Sequence, residues 1–140
     1  MKLRIQKLHE DAITPQYALD GDAGMDIFSM EHRALGPGER ARVLTGIAME
    51  IPYGYVGLIW EKSGLAVNHG IQTMGGVIDS GYRGEVVVTV YNASDTVHTF
   101  EKGDKVGQML IQKVESPGIE VVDTLSESER GEAGFGSTGK

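Results

Sequence analysis

The sequence predicts an all-β domain, a compact sandwich or barrel, and three observations carry that expectation. Glycine makes up 20 of the 140 residues, and it recurs with proline at short intervals, as tight turns require. The runs between these turns are rich in β-branched and aromatic residues. Only residues 63–69 (SGLAVNH) have the composition for a helical turn or two. Many short strands joined by tight turns close most readily into a sandwich or barrel.

The elements follow in chain order. Leu3, Ile5 and Leu8 begin with a period of two, the signature of a half-buried strand. Gly36-Pro37-Gly38 turns the chain before residues 43–51 (VLTGIAMEI), and Pro52-Tyr53-Gly54 turns it again before residues 55–60 (YVGLIW). The short helix comes next, and Val77 and Ile78 rise into a strand that ends at Asp79. Residues 85–91 (EVVVTVY) form a further strand, and residues 105–114 and 119–122 continue the pattern. Near Leu125 the composition shifts to Ser126-Glu127-Ser128-Glu129-Arg130-Gly131, which opens a polar, glycine-rich tail. The expected division is a β domain over 1–125 and a flexible C-terminal segment over 126–140.

Composition narrows the function. With 13 basic and 20 acidic residues the formal charge is −7, which disfavours duplex nucleic acid or an anionic membrane as partner. A small anion remains compatible if basic residues gather locally. The absence of cysteine rules out disulfides, cysteine-based zinc sites and thiol nucleophiles. The N-terminus alternates apolar and charged residues without a signal-peptide core, and no apolar run has membrane-spanning length. A soluble cytoplasmic protein is the expectation.

Five segments carry chemistry, and each also has a structural reading. In Ala23-Gly24-Met25-Asp26-Ile27, Asp26 either caps a turn through its own backbone or stands near a hydrated metal. In Glu61-Lys62-Ser63-Gly64, Ser63 is either a helix N-cap or part of an anion site with Lys62 beside it. Gly75-Gly76-Val77 permits close backbone approach to a flat ligand or simply a tight hairpin, and Asp79, Tyr82 and Arg83 follow it. They form an ion-paired turn or a general base facing substrate. In Lys102-Gly103-Asp104-Lys105-Val106-Gly107-Gln108, the turn is structural by default, whereas Gln108 opens a buried strand and needs partners for its amide. Finally, Gly134-Phe135-Gly136-Ser137-Thr138-Gly139-Lys140 has the G-x-x-x-x-G-K skeleton of a phosphate loop. It lacks the Ser or Thr after the lysine and the helix that would follow. What survives is a tail whose free amides and hydroxyls suit a phosphate, or else a disordered terminus.

In order and across nearly the whole chain, these segments resemble the five motifs of the homotrimeric dUTPase family: AGMDI, KSGLA, GVIDSGYRGE, GDKVGQ and RGEAGFGSTG. The resemblance implies a jelly-roll or β-clip barrel with one short helix. It implies a dUTP diphosphatase that yields dUMP and pyrophosphate, keeps uracil out of DNA and supplies dUMP for dTMP synthesis. Three subunits would build three active sites, with the tail closing as a flap. Asp79 would be the general base that activates water for attack on the α-phosphate, and Tyr82 the ring under deoxyribose that excludes a 2′-hydroxyl. Gly75, Gly76 and Val77 would read uracil through the backbone, and a cytosine amine would leave buried groups unpaired. Ser63, Gly64, Lys62 and Gln108 would meet phosphates, and Arg130 the γ-phosphate. Phe135 would stack on uracil, and Gly136, Ser137 and Thr138 would wrap the β- and γ-phosphates. Asp26 would hold waters on Mg²⁺.

One departure stands out, because the second motif usually reads Pro-Arg-Ser-Gly and here reads Glu61-Lys62-Ser63-Gly64. Lysine keeps the charge but lacks the planar fork of arginine. Glu61 adds a negative charge beside the expected phosphate path. Three rival readings remain. The related dCTP deaminases carry a catalytic Glu three residues before the Asn of the third motif; aligned on Asn92 that position is Thr89. A regulator that acts through its surface and a jelly roll without chemistry are the other two.

Overall fold

The computed structural model describes residues 1–136. Ten strands and one helix follow the chain: β1 (Arg4–Lys7), β2 (Met25–Phe28), β3 (Arg33–Leu35), β4 (Arg40–Glu50), β5 (Tyr55–Trp60), α1 (Ser63–His69), β6 (Ile71–Met74), β7 (Val77–Ile78), β8 (Glu85–Asn92), β9 (His98–Phe100) and β10 (Lys105–Lys113). They pair antiparallel into one sheet ordered β1-β4-β8-β6, a second ordered β2-β10-β5-β7, and a β3-β9 ribbon. The expected all-β architecture with one short helix is what forms.

β8 shows how the pattern of the sequence builds the core. Val86, Val88 and Val90 point inward and are fully buried, while Glu85, Val87, Thr89 and Tyr91 face out half-covered. Val43 and Ile47 beside them on β4, and Ile27, Val106 and Met109 from the other sheet, complete the apolar core, whose burial drives the fold. β4 is longer than its pairing allows: its register against β8 slips between Leu44 and Ala48. Gly46 takes φ +68° inside this bulge, its amide donating to the Glu85 carboxylate at 2.8 Å. That left-handed turn suits glycine.

Two expectations about elements need correction. Residues 119–122 form no strand; Ile119 and Val121 are 95% and 94% exposed, with Pro117 and Gly118 just before them. Their β-branched composition suits a strand, but among the described residues they find no partner strand. The N-cap of α1 is Lys62, in extended geometry and without a side-chain cap, so Ser63 is the first helical residue rather than the cap. Its hydroxyl is exposed.

Candidate active site

Asp26 sits in the middle of β2, a strand buried along its whole length. A buried carboxylate must be paired, and two lysines from elsewhere in the same sheet supply the charge. Lys62, just beyond the end of β5, hydrogen-bonds Oδ1. Lys105, at the start of β10, places its ammonium 2.7 Å from Oδ2, in a contact that is ionic rather than an aligned hydrogen bond. Burial pushes the Asp26 carboxyl up, and the two ammoniums outweigh it, holding the group below its ordinary range. Lys105 was not foreseen, since nothing in the sequence links positions 26 and 105 until β2 and β10 pair.

The second anchor is Gln108. It lies level with Asp26 on one side and Trp60 on the other, and its amide donates to the Glu61 carbonyl at 3.0 Å. The partner expected for that amide is therefore the backbone of the Lys62 loop. Gly24 is what lets Gln108 lie there, because a Cβ on Gly24 would come within 2.6 Å of its Oε1. Glu61 itself turns its carboxylate to the Thr73 hydroxyl on β6, 2.9 Å away.

Beside this cluster lies an open concavity of about 670 Å³, lined by Ala23, Gly24, Glu61, Lys62, Ser63 and Gln108 among others. Three of the five sequence segments thus meet in one place within a single chain. The cluster does not fit the metal role expected of Asp26. Its side chain is 3% exposed with both oxygens facing ammoniums. Among the described residues no group of three or more His, Asp or Glu is placed to hold a cation.

The third segment stands apart. β7 ends at Ile78, and Asp79 follows it, exposed, on a turn closed by the Tyr82 amide donating to the Asp79 carbonyl at 3.1 Å. Arg83 clamps that turn, giving two bonds from one guanidinium nitrogen to the Ser80 and Tyr82 carbonyls at 2.7 and 2.8 Å. Tyr82 donates its hydroxyl to the Glu85 carbonyl at 3.0 Å and lies across Gly84, where a Cβ would meet Oη at 2.4 Å. Gly84 was not foreseen as a site residue. Gly75 and Gly76 take φ +72° and +87° in the hairpin between β6 and β7, and a Cβ on Gly76 would strike the Ile59 carbonyl at 2.8 Å. Val77 is 64% exposed beside them. Gly75 also borders a basic concavity with Arg33, Arg40 and Arg42.

Along β5, Gly57 pairs with Ile78 and Leu58 with Val77, which puts Asp79 level with Val56. Lys62 lies six residues farther along the chain, so at ~3.3 Å per residue the two are separated by about 20 Å. One chain does not bring Asp79 and the Lys62–Ser63 loop to a common point. The tail is likewise apart. Among the described residues Arg130 bonds its own turn, donating to the Ala133 carbonyl at 2.9 Å, and Phe135 is fully exposed. Gly136 takes φ +88°. Ser137 and Thr138 lie outside the described residues.

Comparison with known proteins adds to this geometry. The dUTPase family model matches residues 10–139. The deoxyuridine 5'-triphosphate nucleotidohydrolase of Clostridium tetani is 47% identical over 99% of this chain and 97% of its own length. The Staphylococcus bacteriophage 80alpha dUTPase with dUPNHPP superposes with a TM-score of 0.90, at 32% identity and 99% coverage of both chains. The dUTPase from phage phi11 of S. aureus, a D95N mutant described for the coordination of a structural Mg(II) ion, has a TM-score of 0.85 at 27% identity, covering 91% of this chain and 100% of that one.

Proposed function

The chain belongs to the dUTPase family, and on that premise we propose that it hydrolyses dUTP to dUMP and pyrophosphate with Asp79 as the base. A water is deprotonated by the Asp79 carboxylate, and its oxygen bonds to the α-phosphorus. The bond from that phosphorus to the bridging oxygen breaks, and pyrophosphate leaves. An exposed carboxylate at a strand end, on a turn clamped by Arg83, suits this role. Tyr82, held over Gly84, offers its ring to the sugar, and the Gly75–Gly76–Val77 hairpin offers its backbone to the base. Ser63, Gly64 and Lys62 offer an open loop to the phosphates, and Gln108 holds that loop by its carbonyl rather than reaching into solvent. Arg130, Phe135 and Gly136 belong to the tail that would close over the nucleotide.

The observation that carries the reading is the gathering of the first, second and fourth segments around one cavity with a lysine at its wall. Positioning and charge neutralisation do most of the work in phosphoryl transfer. Mg²⁺ would supply further neutralisation on the triphosphate. Asp26 is committed to two lysines, and no step is assigned to it.

The separation of Asp79 from the Lys62 loop supports a site built between chains, and a homotrimer is the assembly we propose. The exposed apolar residues Ile119, Val121 and Leu125 point the same way, since they offer apolar surface to a neighbour. β8 carries no acid from Val86 to Val90, which argues against deamination of dCTP. Among the described residues no helix is long and apolar enough to cross a membrane.

The test is pyrophosphate release from dUTP beside dCTP, dTTP and UTP, for the native chain and Asp79→Asn. Release from dUTP alone, reduced about 10²–10⁴-fold in the variant, is the expected result. Ammonia from dCTP, or undiminished release in the variant, would overturn it.

A further inference from the structure

Glu61 stands where the family usually has proline, on the wall of the cavity assigned above to the phosphates. A carboxylate there opposes a triphosphate. It is ionised at neutral pH: its own backbone amide and the Thr73 hydroxyl hold it below its ordinary range, against the opposing effect of burial. Yet it does not face the loop. Oε2 accepts from Thr73 Oγ1 at 2.9 Å, on β6 of the other sheet, while the Glu61 carbonyl is fixed by Gln108 from β10. The residue is thus gripped at both ends and its charge is turned toward β6.

We infer that Thr73 is a positioning residue for substrate binding: its hydroxyl parks the Glu61 carboxylate on β6, away from Lys62 and the anionic substrate. Without the hydroxyl, the carboxylate keeps its charge but loses its side-chain partner, on a stem long enough to swing toward Lys62. There it would repel phosphate directly and compete with it for the part of the Lys62 ammonium that is left open beside its bond to Asp26. This rests on the function proposed above and explains how the chain tolerates an acid in the second motif.

The inference fixes an order of effects that a merely structural bond would not produce. Thr73→Val, nearly the same shape without the hydroxyl, should raise the KM for dUTP roughly fivefold to tenfold at low salt, given the size of a charge–charge interaction at this range. The rise should shrink as salt screens the pair, and kcat should stay close to native. Glu61→Ala, which removes the charge altogether, should leave KM native or lower it. The double variant should behave as Glu61→Ala, and Thr73→Ser should behave as the native chain.

Inorganic tripolyphosphate titrated by calorimetry gives a second readout that needs no hydrolysis, and its affinity should follow the same order. A Thr73→Val chain as good as native in both assays would sink the inference. So would a double variant as impaired as Thr73→Val, since the damage would then lie in the valine and not in the freed charge. A native chain that binds tripolyphosphate in the expected order but releases no pyrophosphate from dUTP would instead overturn the proposed function and leave this inference standing.

Discussion

Asp26 and Asp79 lie at opposite edges of one sheet, whose strand order β2-β10-β5-β7 puts the first on β2 and the second just past β7. Asp26 is 2% exposed and bracketed by Lys62 and Lys105. Asp79 stands in solvent on a clamped turn. In the function proposed above the two carboxylates lie in segments that serve one site, yet the chain has placed its ion pairing on one and left the other open. The buried edge is finished within the single chain, because an unpaired carboxylate there would be costly. The open edge is cheap to leave accessible, and a base must be reached by water and substrate. The proposed site between chains would use both: an edge that holds its shape alone and an edge that is completed on contact.

The largest expected effect comes from breaking the finished edge. In Asp26→Asn the two ammoniums lose their counter-charge. Lys105 is nearly half exposed and Lys62 reaches solvent in part, so water relieves some of the loss. A destabilisation of about 2 kcal/mol is expected, read as a lower midpoint in urea with an unchanged slope. If Asp26 instead held metal-bound water, the variant would keep its urea midpoint and need more Mg²⁺ for half-maximal rate. Those two outcomes separate the structural reading from the metal one.

That edge also shows what a sequence can and cannot reveal. The boundaries of β5 and α1 follow from local composition, because strong β formers end at a turn and a short helical run ends at Gly70, which takes φ 62°. The demand of Gln108 for a partner was visible as chemistry, although its partner was not. Lys105, Thr73 and Gly84 were invisible as site residues for one physical reason. Each acts through a contact that exists only after distant strands pair or a ring lies down. Residues 119–122 misled for the converse reason: a β-branched run reports a segment suited to pairing, not the presence of a partner strand.

The open edge breaks differently. In Gly84→Ala a new Cβ would sit 2.4 Å from Tyr82 Oη and 2.6 Å from Cζ, so the ring must lift and give up its bond to the Glu85 carbonyl. Asp79 is anchored separately by the turn and by Arg83. The expected result is a selective one: discrimination between dUTP and UTP falls roughly tenfold, while stability and kcat with dUTP change little. Values of kcat/KM for both nucleotides check it. An equal loss for the two would show that the ring does not read the sugar.

Acid should separate the buried edge from the histidines near the end of the helix, by a smaller margin. His98 on β9 packs against Phe100 edge-on and lies 4.9 Å from the His69 ring at the end of α1. Burial, and then the neighbouring His69, lower its pKa from 6.5, with Asp104 opposing. The unfolded chain therefore takes up a proton on His98 before the folded one does. Stability from this group is complete above about pH 6.5 and is lost as pH falls below it toward the depressed folded value. Asp26 behaves in the same sense but in a lower window: its lowered carboxyl contributes in full above 3.8 and fails only in stronger acid. Loss of stability between pH 6.5 and 4.5 should accordingly shrink in His98→Phe and persist in Asp26→Asn, as urea midpoints at pH 7.5 and 5.0 would report. A slope that vanishes in Asp26→Asn instead would place the acid sensitivity in the ion-pair cluster and not in the histidine pair beneath the helix.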